Sequence, residues 1–374
     1  MSGVQGLSLE LLSQLACPSV LTIKEVAKVG GGRGLFVQIP FKKGAPIGPL
    51  PPLGAAPVSP DLLAQAARRA PRWTPRLAAD VAGESEENKP QVFTHRPRKA
   101  GANSKNKNKG KKRRTFHADA RADVRAEVCP SCFAKDTRLQ CVYCNGTNSQ
   151  VTHLEQTLHN ALRVLHDENA RAGVLGGTEP NRFPVIAQSI LLRCIVEEWV
   201  MEIGNCATLM YALMRPELGK GAETAWEADW EKARTTLEAV CARARIPLDL
   251  SPLWSAEPED HDFGGAKALY MQCMSVLHVN SLRSPETSAL YPTLSFANHS
   301  CDPSVDLSFD GAMAYLVPRR DLASGDELTF HYAGSRGLNQ DQLQKFLSWN
   351  YGFKCKVDCG CSVRDDPANV GATH

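Results

Sequence analysis

The chain has 374 residues, 43% of them apolar, which is enough for two or three domains with substantial cores. No apolar run approaches the roughly 20 residues that span a bilayer, and the N-terminus lacks the basic start of a signal peptide. These features disfavour membrane and secreted proteins, and we expect a protein of the nucleus, the cytoplasm or both. The net charge of +3 is local, because Lys105–Arg114, KNKNKGKKRR, holds seven of the 43 basic residues.

Thirteen cysteines in such a compartment do not indicate a disulfide framework, because cytosolic thiols stay reduced. Five are scattered along the chain and are expected to be buried apolar residues: Cys17, Cys194, Cys206, Cys241 and Cys273. Seven of the other eight occur in two clusters, and clustering favours metal binding. The eighth is Cys301.

The first elements in chain order are two predicted strands, Val20–Val29 and Leu35–Ile39, joined by a glycine-rich turn. From residue 51 to 127 the periodicity fails. This composition is typical of a largely disordered insertion, with one short predicted helix near Asp61–Ala70. The basic run Lys105–Arg114 within it is a solvated linker, a nuclear localisation signal or a patch that contacts nucleic acid.

Four cysteines with the spacing of zinc ligands follow in residues 128–150. They form the pattern C-x2-C-x8-C-x2-C: Cys129, Cys132, Cys141 and Cys144. Each pair presents two thiolates to one tetrahedral ion, so the pattern predicts a zinc module. The nearest imidazoles, His153, His159 and His166, fall on a helical pattern, and we expect them on the helix surface rather than as ligands.

Residues 151–280 are predicted to be helical. Apolar residues keep helical spacing from Trp226 to Ala244, and Ile190–Val200 indicates a buried helix. Both stripes are interpreted as core.

After Pro292 the period of the apolar pattern returns to two. Ser304–Phe309 and Ala312–Val317 are predicted strands that flank a turn at Asp310-Gly311, and Glu327–Tyr332 is a third strand. The last segment, 336–374, contains three more cysteines: Cys355, Cys359 and Cys361.

Four short motifs occur in order along the chain. The central one is Asn298-His299-Ser300-Cys301 within Leu290–Asp306, LYPTLSFANHSCDPSVD. The others are Gly32–Phe36 (GRGLF), Gly325–Tyr332 (GDELTFHY) and Tyr351-Gly352-Phe353, which precedes the last cysteines. Together they resemble the SET-and-MYND (SMYD) family of SET-domain protein lysine methyltransferases, in a shorter form without the C-terminal helical repeat domain.

The resemblance implies an α+β fold in which a SET-domain β-fold is split in sequence, with residues 18–50 joining residues 281–335. The zinc module becomes a MYND-like insertion, residues 151–280 a helical insert, and residues 336–374 a cysteine-rich post-SET segment. A full MYND module carries eight ligands for two zincs, so we expect one zinc in this shorter version. The tail is also a departure, since its spacing is C-x3-C-x-C where the family has C-x-C-x2-C.

The resemblance also implies roles for individual residues, with S-adenosylmethionine and zinc as cofactors. Tyr332 and Tyr351 would form the catalytic lysine channel. Six residues would bind the cofactor: Arg33, Gly34, Asn280, Asn298, His299 and Phe353. Four cysteines would hold a zinc beside the active site: Cys301, Cys355, Cys359 and Cys361.

Three functions are compatible with these motifs. The first is a methyltransferase acting on lysines of histone or non-histone proteins, whose channel favours the neutral amine by desolvation. The second is a catalytically inactive SET and zinc scaffold that binds chromatin or protein partners. The third, a zinc-finger nucleic-acid binder, leaves the C-terminal hundred residues unexplained. Retention of Asn298, His299 and Tyr332 favours the enzyme.

Overall fold

The computed structural model describes eight segments of the chain, namely residues 8–26, 32–58, 149–174, 182–201, 205–213, 220–255, 264–334 and 337–355. Several predictions fall on other residues and stay predictions. They concern the helix near Asp61–Ala70, the basic run Lys105–Arg114, the zinc module Cys129–Cys144, and the last two cysteines, Cys359 and Cys361.

Ten short strands form three sheets within the described segments. They are β1 (Leu21–Glu25), β2 (Arg33–Val37), β3 (Ile47–Leu50), β4 (Gly54–Pro57), β5 (Ser281–Arg283), β6 (Thr287–Leu290), β7 (Asn298–His299), β8 (Val305–Asp310), β9 (Met313–Pro318) and β10 (Glu327–Phe330). The strand orders are β1-β2-β10-β7, β3-β9-β8 and β4-β6-β5.

Each sheet joins N-terminal strands to strands more than 200 residues further along the chain. In the first sheet β2 pairs antiparallel with β10, where Leu35 lies opposite Leu328. Strand β10 in turn runs parallel to β7, with Thr329 opposite Asn298. The sequence-split sheet and the α+β class are therefore as predicted.

The hairpin of β8 and β9 differs from its prediction by one residue. Asp310 pairs with Met313, so the two-residue loop is Gly311-Ala312 rather than Asp310-Gly311. Gly311 has φ of 58°, the left-handed value that the first position of this turn needs. Glycine adopts that conformation at least cost, and this decides the register of the hairpin.

Eight α-helices lie in the described segments. They are α1 (Leu9–Ala16), α2 (Ser149–Arg171), α3 (Phe183–Met201), α4 (Asn205–Ala212), α5 (Lys220–Ala244), α6 (Pro252–Ser255), α7 (Gly265–Asn280) and α8 (Gln340–Tyr351). None of the helices in these segments combines the length and apolar character needed to cross a membrane.

Helix α3 is the centre of the helical layer and packs against α2, α4, α5 and α7. Its residues from Val185 to Val196 are buried on all sides, which confirms the predicted buried helix Ile190–Val200 as far as Val196, whereas residues 197–200 are half-buried. A Cβ placed on Gly54 of β4 would lie 2.6 Å from side chains of Ile190 and Ser189, so only glycine permits this approach of helix and sheet.

The predicted core stripe of α5 is confirmed, since all its members from Trp226 to Cys241 are buried and Ala244 packs at its edge. The prediction that His159 and His166 lie on the helix surface is wrong. Both are buried, with exposed fractions of 6% and 0%, because α2 is covered by α3 and α5 together.

The scattered cysteines behave as predicted in four cases of five. Cys194, Cys206, Cys241 and Cys273 are buried in the helical core, whereas Cys17 is half-buried at the end of α1. Burial raises the pKa of the Cys241 thiol to about 12, so this side chain stays a neutral apolar group.

Candidate active site

Three aromatic side chains predicted to form a lysine channel and cofactor platform lie together. The ring centroids of Tyr332 and Tyr351 are 4.6 Å apart, and Phe353 lies 6.3 Å from each of them. Tyr332 follows β10 by two residues, because the strand ends at Phe330 rather than running to Tyr332 as predicted. Phe353 is 38% exposed and so keeps a ring face available for a ligand.

The hydroxyl of Tyr332 is held in one direction. It donates a hydrogen bond to the backbone carbonyl of Ala297, with 3.0 Å between the oxygens. Burial raises the pKa of this phenol, and Tyr351 and Glu327 add to the effect. Tyr332 therefore stays a neutral hydroxyl over the physiological range of pH.

Helix α8 brings Tyr351 and the first tail cysteine to this place. Asn339 and Gln342 form a reciprocal capping box at its start. Gly352, with φ of 72°, ends the helix in the left-handed conformation and turns the chain back. The amide of Cys355 then donates to Gln344 Oε1 at 2.9 Å, which fixes the tail on the helix.

His299 bridges the tyrosines and the cysteines. Its Nδ1 accepts the backbone amide of Tyr332 at 3.1 Å, and its Nε2 lies 3.3 Å from the sulfur of Cys301. Burial lowers the pKa of His299 to about 4, with a further contribution from His331. A neutral imidazole that accepts at Nδ1 carries its proton on Nε2, facing the sulfur.

Two of the four predicted post-SET ligands are described, and they lie side by side. The sulfurs of Cys301 and Cys355 are 3.4 Å apart, which is near the separation of two thiolates on one zinc with bonds of about 2.3 Å. Nitrogens of His299 and His331 and the Cys301 sulfur lie within 4.8 Å of one another. The two sulfurs therefore fit one zinc ion, and Cys359 and Cys361 stay predictions. With its proton on Nε2, His299 faces the Cys301 sulfur as a hydrogen-bond donor and not as a metal ligand.

The candidate cofactor residues of β2 and β7 also meet. Asn298 Nδ2 donates to Glu327 Oε1 at 2.8 Å and to the carbonyl of Arg33 at 3.2 Å. A Cβ on Gly34 would lie 3.0 Å from the same carboxylate oxygen and 2.7 Å from Val26. Gly34 thus leaves room for the carboxylate between the strands.

Asn280 belongs to another element. It is the last residue of α7, and its side-chain amide donates to the carbonyl of Val276 one turn earlier at 3.1 Å. Helix α7 packs against α8, which carries Tyr351, and the role of Asn280 in binding the cofactor stays a prediction.

The model of the SET domain matches residues 32–333 of this chain, which is well over half of it. The chain belongs to the SET domain family. The match includes three of the four strands of the split sheet, namely β2, β7 and β10, and leaves out β1.

Curated relatives of this SET domain carry SET-and-MYND names, which confirms the predicted membership in that group. The human histone-lysine N-methyltransferase SMYD3 is 33% identical over 99 residues, covering 26% of this chain and 22% of the relative. A SET and MYND domain-containing protein of Dictyostelium discoideum is 25% identical over 194 residues, covering 48% and 51%. The chicken protein-lysine N-trimethyltransferase SMYD5 is 33% identical over 86 residues, covering 22% and 20%. The matches thus span about half or less of each relative's length.

Two residues of the SET site were missed by the sequence reasoning. Glu327 was interpreted only as the start of a strand, and His331 only as a member of one. The signal for Glu327 was its place within Gly325–Tyr332, since an acidic residue at a strand edge beside a glycine-rich loop is available for a polar contact. No pattern pointed to His331, whose proximity to Cys301 arises from the parallel pairing of β7 and β10.

Proposed function

We propose that this SET domain transfers a methyl group from S-adenosylmethionine to the side-chain amine of a lysine in a protein substrate. The observation that carries the proposal is the aromatic cluster of Tyr332, Tyr351 and Phe353, with a tyrosine hydroxyl fixed at its wall by Ala297. The SMYD names of the relatives, which include lysine methyltransferases, support the same reaction.

The cofactor supplies a methyl group on a positively charged sulfur. The nitrogen–carbon bond to the lysine forms as the carbon–sulfur bond breaks, and the proton of the original ammonium is lost to solvent. The protein must admit the lysine as a neutral amine, although its ordinary pKa is about 10.4. Walls formed by Tyr332 and Tyr351 exclude water and so favour the neutral form.

Positioning is the second task of the channel. A neutral Tyr332 hydroxyl that donates to Ala297 has lone pairs left to accept from the amine. Alignment of nucleophile and methyl group can supply several kcal/mol of the barrier without any covalent step on the enzyme. Tyr332 would therefore act as an orienting group and not as a nucleophile.

Zinc is proposed to have a structural role at two sites. Cys301 and Cys355 would share one ion with Cys359 and Cys361, which would hold the tail with Phe353 against the strand that carries Asn298. Cys129, Cys132, Cys141 and Cys144 would bind the second ion. In both sites zinc would lock the fold and take no part in methyl transfer.

The proposed substrate is a protein lysine, on a histone or a non-histone protein, and the proposed location is the nucleus, the cytoplasm or both. The basic run Lys105–Arg114 would contact nucleic acid or direct nuclear import. An inactive scaffold is not favoured, because Asn298, His299 and Tyr332 keep side-chain arrangements suited to the reaction.

The test is labelling with tritiated S-adenosylmethionine, using the purified full chain with core histones and separately with whole-cell lysate. Calorimetry measures binding of the unlabelled cofactor in parallel. The proposal is supported if the label on the protein is stable to alkali, as a methylated amine is, and if S-adenosylhomocysteine abolishes the transfer by competition. A folded chain that binds no cofactor would overturn it and favour the scaffold.

A further inference from the structure

Glu327 stands at the meeting point of three strands. Its backbone is held from both sides, since Glu327 pairs with Phe36 of β2 and its carbonyl accepts the Ser304 hydroxyl at 3.0 Å. Its carboxylate reaches Asn298 of β7 at 2.8 Å. A Cβ on Gly34 would lie 3.0 Å from the carboxylate oxygen, so glycine at this position leaves room for it. The side chain is thus fixed by its surroundings and not merely adjacent to the site.

The orientation of the Asn298 amide follows from its partners. Two acceptors face the same atom of Asn298, the Glu327 carboxylate and the Arg33 carbonyl. Only the NH2 end of an amide can donate to both, and the reverse orientation would place the amide oxygen against two other oxygens. The bond to the carboxylate is charge-assisted and therefore the stronger of the two.

This orientation turns the other end of the amide, Oδ1, away from both protein acceptors. An amide oxygen accepts hydrogen bonds and interacts favourably with a cation, whereas an NH2 group would repel one. The methionine part of S-adenosylmethionine carries an ammonium group, and its sulfur is also positively charged. The end of Asn298 left for a ligand therefore has the polarity that this cofactor requires.

We propose that Glu327 is a positioning residue that fixes the Asn298 amide so that Oδ1 accepts a hydrogen bond from the ammonium group of the cofactor. The inference rests on the proposed function. Glu327 itself does not touch the cofactor and acts only by way of Asn298. Loss of the carboxylate lets the amide rotate and lose its preorganised acceptor, which weakens binding.

The experiment is a double-mutant cycle on the full chain, with the affinity for S-adenosylmethionine measured by calorimetry. Glu327→Ala and Asn298→Ala should each weaken binding by about 10-fold or more, the usual effect of removing a hydrogen bond to a charged group. The double variant should bind no more weakly than Asn298→Ala alone, because Glu327 has no other route to the cofactor. Glu231→Ala, an exposed carboxylate of α5 paired with Arg234, is the matched control and should change nothing.

A second pair of variants guards against loss of the fold. Glu327→Gln keeps an acceptor oxygen and should cost about 3-fold or less, whereas Glu327→Met keeps the volume without the acceptor and should match Glu327→Ala. Thermal unfolding midpoints identify any variant that is simply unstable.

Two outcomes would overturn the inference alone. The first is a Glu327→Ala variant that binds the cofactor as tightly as the wild type. The second is a Glu327→Ala change that weakens binding by the same factor in the Asn298→Ala background, which would mean a contact with the cofactor that is independent of Asn298. A folded wild-type chain without any cofactor affinity is a distinct result, since it overturns the proposed function and this inference together.

Discussion

The backbone amide of Tyr332 donates to Nδ1 of His299 across 3.1 Å. The same imidazole faces the sulfur of Cys301 with Nε2 at 3.3 Å, and that sulfur lies 3.4 Å from Cys355. One neutral ring therefore joins the tyrosine proposed to orient the amine to the thiolate proposed to bind zinc. Displacement of the cysteines would therefore also move the His299 ring, whose Nδ1 accepts the hydrogen bond from the Tyr332 backbone amide.

Replacement of Tyr332 by phenylalanine should separate chemistry from packing. The ring and the channel wall remain, but the hydroxyl that would orient the amine is lost. We expect turnover to fall by about 10- to 100-fold with cofactor affinity within about 2-fold of the wild type, because the interaction is made mainly in the transition state. The measurements are single-turnover methylation and calorimetric binding of the cofactor.

The matched control for this variant is Tyr291→Phe. The Tyr291 hydroxyl also donates to a backbone carbonyl, that of Ala312 at 2.8 Å, but it does so in the core. Its loss should reduce the free energy of unfolding by about 1 kcal/mol and leave turnover unchanged. A Tyr332→Phe enzyme that methylates at the wild-type rate would remove Tyr332 from the mechanism.

Phe353→Ala should produce the opposite pattern. The ring lies 6.1 Å from His299 and keeps 38% of its surface exposed, so its removal takes away a stacking face without opening the core. We expect cofactor affinity to fall by about 10-fold, while the unfolding midpoint changes little. Trp349→Ala on α8, where the indole is 90% exposed, is the control and should bind the cofactor normally. Equal affinity of both variants would contradict the role of Phe353.

The sheet and the aromatic site were predictable from sequence for different reasons. Strand β8 alternates apolar and polar residues, and the order of the motifs places Asn298 and Tyr332 in one domain. The burial of His159 and His166 was not predictable, because it depends on α2 being covered on two sides. Glu327 was missed for a similar reason, since its partner Asn298 lies 29 residues away and the contact requires parallel pairing of β7 and β10.

Removal of either described tail cysteine should release zinc. We expect Cys301→Ser and Cys355→Ser each to lower the zinc content from about two ions per chain to about one, because a tetrahedral thiolate site rarely survives loss of a ligand. Inductively coupled plasma mass spectrometry on protein dialysed against a weak chelator measures the content. Cys241→Ser, in the buried stripe of α5, is the control and should keep both ions.

The same cysteine variants should also weaken cofactor binding. In both variants the tail that carries Phe353 would no longer be anchored, and in Cys301→Ser His299 would also lose the sulfur that its Nε2 faces. Unchanged zinc content in both variants would exclude Cys301 and Cys355 as ligands and leave His299 and His331 to be explained otherwise.

The stability of the helical layer should depend on pH at Glu197. Its Oε2 accepts the amide of Cys206 near the start of α4 at 3.0 Å. Burial raises the pKa of this carboxyl, against the opposing effects of Arg193 and the Cys206 amide. The folded state therefore holds the proton more tightly than the unfolded chain, whose glutamate pKa is about 4.3. Stability that this group contributes at low pH is lost as pH rises between the two pKa values.

Glu197→Gln keeps the acceptor for Cys206 but cannot ionise. The variant should match the wild type in unfolding midpoint near pH 4 and exceed it at pH 7.5, where the wild-type chain bears the cost of a partly buried charge. Differential scanning calorimetry at both pH values measures the difference, with the exposed Glu238→Gln of α5 as the control. A variant less stable than the wild type at pH 7.5 would mean that attraction to Arg193 outweighs desolvation, and that the direction of the pKa shift is opposite to the one given above.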